Sequence, residues 1–162
     1  VLGISSNFGE AFYKAQEAAG VKIPMNGTVL MSVSDRDKDD AVKIARGFSD
    51  CGFKLMATEG TYRLLTAAGI PVEKVAKLNE GRPNIIDKVT NGEIDFIINT
   101  PVGKKSAVDD SYIRKSAIKN RVPHMTTMAA AQATVDGIKA VRKSGKLEVK
   151  SLQSFHSEIK DI

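Results

Sequence analysis

Residues 28–61 read TVLMSVSDRDKDDAVKIARGFSDCGFKLMATEGT, and this stretch decides the fold. Two short apolar runs, 28–33 and 54–57, enclose a segment with apolar residues at helical spacing, which predicts a buried helix face. The residues of that face are Ala41, Ile44, Ala45 and Phe48. Gly52 follows the helical segment, where a residue with positive φ ends a helix at little cost. Strand, helix, glycine and strand in this order are typical of a βαβ unit on a parallel sheet.

The same pattern continues on both sides of this unit. Helical stretches are each followed by a glycine, at Gly20, Gly52, Gly69 and Gly92. Further strands are predicted at 72–75, at 94–98 and near His124, and further helices at 84–90, 109–120 and 125–143. The runs 28–33, 54–57 and 94–98 are nearly continuous apolar runs, which suits strands covered by helices on both faces. We therefore predict an α/β domain of three layers with a mostly parallel sheet.

The first 20 residues predict a separate helix. Its apolar residues recur at three- and four-residue spacing: Phe8, Ala11, Phe12, Ala15 and Ala19. Ser6 or Asn7 can cap it. This helix lies outside the domain or packs against it. Because the chain opens at Val1 without an initiator Met, we expect a fragment of a longer product.

Composition bounds the class of protein. The 162 residues are 42% hydrophobic and 27% charged, which is ordinary for one globular domain and argues against disorder. No apolar run approaches the length of a membrane span, so we expect no membrane partner. The single Cys51 cannot form an internal disulfide, which fits a reducing cytoplasm.

The net charge of +5 suits an anionic ligand. A solvated basic surface explains it equally well. The basic residues are scattered, aromatic residues make up 6% and Trp is absent, so no basic stripe is interleaved with stacking rings. We therefore expect no nucleic-acid partner.

Ligands of open parallel sheets bind beyond the carboxyl ends of the strands, which selects four loops. These loops are 34–38 (SDRDK), 58–61 (TEGT), 77–82 (KLNEGR) and 99–105 (NTPVGKK). In the second loop, Thr58 and Thr61 flank Gly60 where a strand leads into a helix, which is a place for an anion. Thr61 can instead be only a helix cap. Lys38 is the last residue of the first loop and Lys77 the first residue of the third, either as charges for phosphate oxygens or as solvated loop ends.

Other chemistry has little support in the sequence. His124 and His156 are far apart, Cys51 suits a small buried hydrophobe, and no metal-binding spacing or Gly-rich nucleotide motif is present. A run of acids has neither the glycine nor the final Glu of a calcium loop. Its members, Asp35, Asp37, Asp39 and Asp40, are interpreted as loop and helix-start charges, with Asp35 on a solvated loop.

Several motifs together carry a resemblance to a known family. They are TVLMSVS (28–34), GFKLMATEGT (52–61), EGRPNIIDKV (80–89), NGEIDFIINT (91–100), RKSA (114–117) and TT (126–127). The chain resembles the methylglyoxal synthase-like domain, and within that family the C-terminal regulatory domain of the carbamoyl phosphate synthase large subunit. Residues 1–25, with SSNFGEAFYKAQ at 5–16, resemble the end of the preceding synthetase region, and residues 26–162 resemble the regulatory domain.

The resemblance implies a five-stranded parallel sheet and a domain that binds effectors without catalysing a reaction. The implied effectors are uridylate, inosinate or phosphate. The full-length subunit would be an ATP-dependent ligase in the cytoplasm, serving arginine and pyrimidine biosynthesis, with ATP, Mg²⁺ and K⁺ at sites outside this fragment. The implied partners are the remainder of the large subunit and a small glutaminase subunit. For the fragment itself no cofactor and no metal is implied.

The resemblance also implies an effector site, carried over position by position. Its residues are Lys38, Thr58, Gly60, Thr61, Lys77, Asn99, Thr100, Asp110 and Ser111. Thr126 matches a position near an ornithine site. The chain departs from the enteric bacterial pattern at Pro101, which lacks an N–H group, and at 104–105, where two lysines replace an arginine pair. These departures leave the identity of the effector open.

Two rival functions belong to other classes. The first is methylglyoxal synthase, a phosphate-eliminating lyase of this family, whose general base aligns with Arg82 in this chain. An arginine cannot lose a proton at neutral pH, so the carboxylate base is missing. An inosinate cyclohydrolase domain shares the opening region but continues with a different motif after the third strand. The second rival is an interaction module without a small ligand.

Overall fold

A computed structural model describes residues 1–101, 103–145 and 149–158, and within 103–108 it describes the backbone alone. The strands are β1 (Thr28–Ser32), β2 (Lys54–Ala57), β3 (Glu73–Lys74), β4 (Phe96–Asn99) and β5 (His124–Met125). They pair in the order β3-β2-β1-β4-β5, and every pairing is parallel. The prediction of a five-stranded parallel sheet is confirmed.

The helices are α1 (Phe8–Ala18), α2 (Lys38–Asp50), α3 (Glu59–Ala67), α4 (Ile85–Thr90), α5 (Gly103–Lys119), α6 (Met128–Ser144) and α7 (Leu152–Ser157). Helix α5 begins six residues before the predicted start at Asp109. The sequence GKKSAV at 103–108 has no apolar repeat, so the helical pattern becomes visible only after it. The four glycines predicted to end helices all adopt positive φ, between +70° and +80°. In the described part of the chain, no helix has the length and apolar content to cross a membrane.

The sheet is covered on both faces, and β1 shows how. All five of its residues are buried. Val29 and Met31 belong to a core cluster with α2, α3 and α6, whereas Leu30 faces a second cluster with α4 and α5. Successive side chains of a strand point to opposite faces, so an unbroken apolar run can serve two layers of helices. The three-layer prediction is confirmed.

Helix α1 packs against α6, which decides between the two arrangements left open for the first helix. A Cβ placed on Gly137 of α6 would lie 2.7 Å from the carbonyl oxygen of Gly9 and 2.9 Å from Tyr13 Cβ. The absence of a side chain there lets the two backbones approach closely. Tyr13 is only 4% exposed and joins the core. Asn7 is the cap residue, because its side chain accepts a hydrogen bond from the Glu10 N–H at 3.1 Å.

Candidate functional site

The carboxyl ends of the three central strands meet around Ser32, the last residue of β1. Ser32 is opposite Asn99 in the register of β1 and β4. Thr58 follows β2 and donates from its hydroxyl to the Ser32 hydroxyl at 3.3 Å. With its amide nitrogen turned inward, Asn99 donates to the Ser32 carbonyl and to Asp110 Oδ1, both at 3.2 Å. All four residues are buried, so they form the floor of the site.

Two threonine hydroxyls hold the loop that leaves β1. The Val33 N–H donates to Thr61 Oγ1 at 3.1 Å, and the Ser34 N–H donates to Thr100 Oγ1 at 2.8 Å. Thr61 and Thr100 are each only 1% exposed. The reading of Thr61 as a helix cap is wrong, because Thr58 is the cap residue and Thr61 lies in the first turn of α3. These hydroxyls position the loop around the site.

Ser34 and Asp37 complete this loop, and our sequence interpretation missed their pairing. The Ser34 hydroxyl donates to Asp37 Oδ2 at 2.5 Å. This hydrogen bond lowers the pKa of the Asp37 carboxyl, and Thr100 and Arg36 add to the effect. The signal was present in the sequence as Ser-x-x-Asp, in which the two side chains are one turn apart, although Ser34 makes no side-chain hydrogen bond to the backbone of the turn it precedes.

The amino end of α3 opens toward solvent at this edge. Thr58 precedes the helix without a side-chain hydrogen bond to it, so the N–H groups of the first turn are left for water or a ligand. Gly60 is exposed, and a Cβ placed on it would lie 3.8 Å from Lys38 Nζ. The nearby carboxylate of Glu59 is turned to Arg63, at 2.5 Å from Nε, and to Lys74. At the amino end of α3, the Lys38 ammonium therefore lies close to Gly60, and the Glu59 carboxylate of the helix is neutralised by Arg63 and Lys74.

Lys38 begins helix α2, whereas the sequence suggested that it ends a loop. Its Nζ pairs with Asp35 Oδ1 at 2.5 Å. The Asp35 side chain is 89% exposed, which agrees with the solvated loop we predicted, whereas its pairing with Lys38 was not predicted. The hydrogen bond and charge of Lys38 lower the pKa of the Asp35 carboxyl, and the charge of Lys77 lowers it further. Both lysines thus act on one carboxylate at the same edge of the sheet.

The loop that carries Lys77 has its own supports. The Lys77 N–H donates to Glu80 Oε2 at 3.0 Å, and the Glu80 N–H donates back to the Lys77 carbonyl at 3.1 Å. A bridge between Ala76 and Asn84 closes the far side of the loop. These bonds fix the backbone from which the Lys77 side chain extends.

The remaining predicted site residues lie on α5 and directly after β5. Ser111 is half-buried on α5, next to the buried Asp110, and Thr126 is half-buried immediately after β5. Pro101 is exposed. The side chains of residues 104–105 lie outside the described residues. The structure brings Lys38 next to both Asp35 and Gly60, and it links Thr58, Asn99 and Asp110 to Ser32 or to one another. The charge of Lys77 acts on Asp35, and a ligand role for each of these residues stays a prediction.

The described residues give little support to a lyase site, a reactive cysteine or a metal site. Arg82, at the position of the lyase base, has an 81% exposed side chain, and its Nε lies 3.7 Å from Asp87 Oδ2. Cys51 is buried at the end of α2. Within residues 1–101, 103–145 and 149–158, no cluster of three or more His, Cys, Asp and Glu residues could hold a metal ion.

Comparisons with known proteins agree on one family. The MGS-like domain model matches residues 40–126, which is 87 of the 162 residues. The chain is 46% identical over 98% of its length to a carbamoyl phosphate synthase large chain of Archaeoglobus fulgidus, and spans 15% of that relative. It is 49% identical over 96% of its length to the C-terminal section of the corresponding chain of Methanopyrus kandleri, and spans 29% of it.

A solved structure supports the fold independently. The crystal structure of methylglyoxal synthase from Elizabethkingia anophelis matches 86% of this chain and 95% of its own, with a TM-score of 0.57 and 17% identity. At that identity the likeness concerns the fold alone. Together with the match of the family model over more than half of the sequence, these findings identify the chain as a member of the MGS-like domain family.

Proposed function

We propose that this chain is the effector-binding regulatory domain at the C-terminal end of the large chain of a glutamine-dependent carbamoyl phosphate synthase. The observation that carries the proposal is the pair of relatives that match 96–98% of the chain at 46–49% identity. Both are carbamoyl phosphate synthase large chains, and in Methanopyrus kandleri the match is to a polypeptide that is itself the C-terminal section.

In this proposal the chain regulates and the rest of the subunit catalyses. The full-length protein would be an ATP-dependent ligase in the cytoplasm that supplies carbamoyl phosphate for arginine and pyrimidine biosynthesis. ATP, Mg²⁺ and K⁺ would bind outside these 162 residues, and a small glutaminase subunit would be the protein partner. An ornithine contact at Thr126 would require the neighbouring region of the large chain.

The ligand of the domain would carry a phosphate group, as uridylate, inosinate or phosphate itself. Three features support this: the Lys38 ammonium near Gly60, the amino end of α3, whose cap residue makes no side-chain hydrogen bond to it, and the charge of Lys77. Backbone N–H groups at a helix start and lysine charges are the usual donors to phosphate oxygens. The hydroxyls of Thr61 and Thr100 already accept hydrogen bonds from the loop after β1, so they would shape the site around the ligand.

Titration calorimetry with uridylate, inosinate and inorganic phosphate tests the proposal on the 162-residue chain. We expect saturable binding of at least one of them, weakened by Lys38→Met. Lys43→Met is the matched control, since Lys43 is an exposed lysine on the same helix and its loss should leave binding unchanged. Absence of binding of all three at millimolar concentration would favour the interaction module instead.

A further inference from the structure

The Lys38 ammonium, which lies near Gly60 at the amino end of α3, already has an anionic partner within the chain. Asp35 lies in a short 3₁₀ turn directly before α2, three residues from Lys38, and its carboxylate contacts the Lys38 ammonium at 2.5 Å. That same ammonium lies 3.8 Å from the place where Gly60 would carry a Cβ. A carboxylate oxygen therefore occupies one of the directions from which a phosphate oxygen would reach Lys38.

This ion pair has the properties of a reversible contact. The Asp35 side chain is 89% exposed and that of Lys38 is 31% exposed. Ion pairs in such surroundings are weak, because water screens the charges and ordering two long side chains costs entropy. A phosphate group, which also has the helix terminus and Lys77 to bind, can displace the carboxylate from Lys38.

The charge of Lys77 also acts on Asp35, as expected if Asp35 lies within reach of the ligand. The Lys38 hydrogen bond and charge, followed by the Lys77 charge, hold the pKa of the Asp35 carboxyl below its usual range. Asp35 thus sits in the field of both cations proposed for phosphate. The neighbouring acid Glu59 has its own partners, Arg63 and Lys74, and leaves Lys38 to Asp35.

We propose that Asp35 is an internal competitor that sets the affinity of this site, because its carboxylate must leave Lys38 before a phosphate group can bind there. The inference rests on the proposed function. When only a fraction of molecules has a free binding group, the apparent affinity falls by that fraction. For an exposed ion pair, that fraction corresponds to about a two- to five-fold weakening of phosphate binding.

The test uses the 162-residue chain at low ionic strength with inorganic phosphate as the probe, and follows the Gly60 amide by NMR. Four proteins form a cycle: the unsubstituted chain, Asp35→Asn, Lys38→Met and the double variant. We expect Asp35→Asn to tighten phosphate binding about two- to five-fold. In the Lys38→Met background, Asp35→Asn should not increase the affinity for phosphate. Asp40→Asn is the matched control, since Asp40 is exposed on α2 and its replacement removes the same charge.

The outcomes separate this inference from the proposed function. In one outcome, the unsubstituted chain binds phosphate and loses affinity through Lys38→Met, while Asp35→Asn raises the affinity no more than Asp40→Asn does. That result overturns the role of Asp35 and leaves the phosphate site in place. A gain that persists in the Lys38→Met background also overturns it, because Asp35 would then act only through overall charge. No binding of phosphate by any of the five proteins refutes the phosphate site and the competitor together.

Discussion

The hydroxyl of Thr61 accepts a hydrogen bond from the buried Val33 N–H, and this contact ties the amino end of α3 to the loop after β1. Thr61→Val removes the acceptor and leaves that N–H without a partner. We expect a loss of about 1–3 kcal/mol in the free energy of unfolding, the penalty for a buried unsatisfied group. Urea denaturation measures it. Thr66→Val on the exposed side of α3 should change stability by less than about 0.5 kcal/mol.

Lys77 is the residue on which the phosphate proposal can be tested most directly, because its removal leaves the buried floor of the site intact. We expect Lys77→Ala to weaken nucleotide or phosphate binding by roughly 1.5–3 kcal/mol, the scale for a hydrogen bond to a charged group. The affinity should also fall as salt rises, because part of the attraction is screened charge. Titration calorimetry at two salt concentrations measures both.

Lys54→Ala is the control for this change. Lys54 is an exposed lysine at the first residue of β2, which is the opposite edge of the sheet. Its loss removes the same charge at a distance from the site. Equal affinities of Lys77→Ala and the unsubstituted chain, with an intact fold, would contradict the proposed site.

At the scale of the elements, helices α1 and α6 pack so closely at Gly137 that a side-chain atom there would have no space. We expect Gly137→Ala to destabilise the fold by about 1–3 kcal/mol, the usual cost of overpacking, because the new Cβ meets backbone and Tyr13 atoms within 3 Å. Thermal unfolding measures the loss. For Gly60→Ala, the nearest atom described outside the chain neighbours and the backbone of α3 is Lys38 Nζ, at an ordinary contact distance of 3.8 Å, so stability should hardly change. Equal stability of the two variants would mean that α1 does not pack on α6 as described.

At the scale of the whole molecule, acid should destabilise the fold. The pKa values of several carboxyls are lowered by hydrogen bonds and ion pairs in the folded state, namely those of Glu10, Asp35, Asp37, Glu59 and Glu93. In the unfolded chain these groups bind protons near their ordinary pKa of about 4. The stabilisation is therefore complete above about pH 5 and is lost as the pH falls through the lowered pKa values.

Urea unfolding between pH 7 and pH 2.5 measures this dependence. The expected result is a constant free energy of unfolding from pH 7 to about pH 5, followed by a decline. A free energy that stays constant or increases below pH 4 would contradict the prediction.

The whole molecule should also lack lyase activity. The resemblance to methylglyoxal synthase implies that the general base falls at Arg82, which is exposed and lies near Asp87. We expect no methylglyoxal from dihydroxyacetone phosphate above a heat-treated control, since an arginine cannot abstract the proton. The nearby Asp87 carboxylate already accepts a hydrogen bond from the Asn84 N–H at 2.9 Å. A methylglyoxal synthase assayed in parallel provides the positive control. Formation of methylglyoxal at an enzymatic rate would reverse the assignment of this chain as non-catalytic.

Local patterns in the sequence were enough to predict the architecture. The apolar runs at 28–33 and 94–98 predict strands buried on two faces, and the glycines after the first four helices predict where the chain turns back to the sheet. These signals depend on residues within a few positions of one another. The extent of α5 was not predictable in the same way, because the first six residues of that helix carry no apolar repeat.

The sequence by itself therefore determined the α/β class and the parallel sheet, and it predicted the edge where a ligand would bind. Only the tertiary structure decided what each side chain does at that edge. Thr61 and Thr100 bond to the loop after β1 from positions 28 and 66 residues away, and Lys38 meets Gly60 only after α2 and β2 have folded between them. Contacts across such separations depend on how helices and strands pack, whereas periodicity along the chain records only which face of each element is buried.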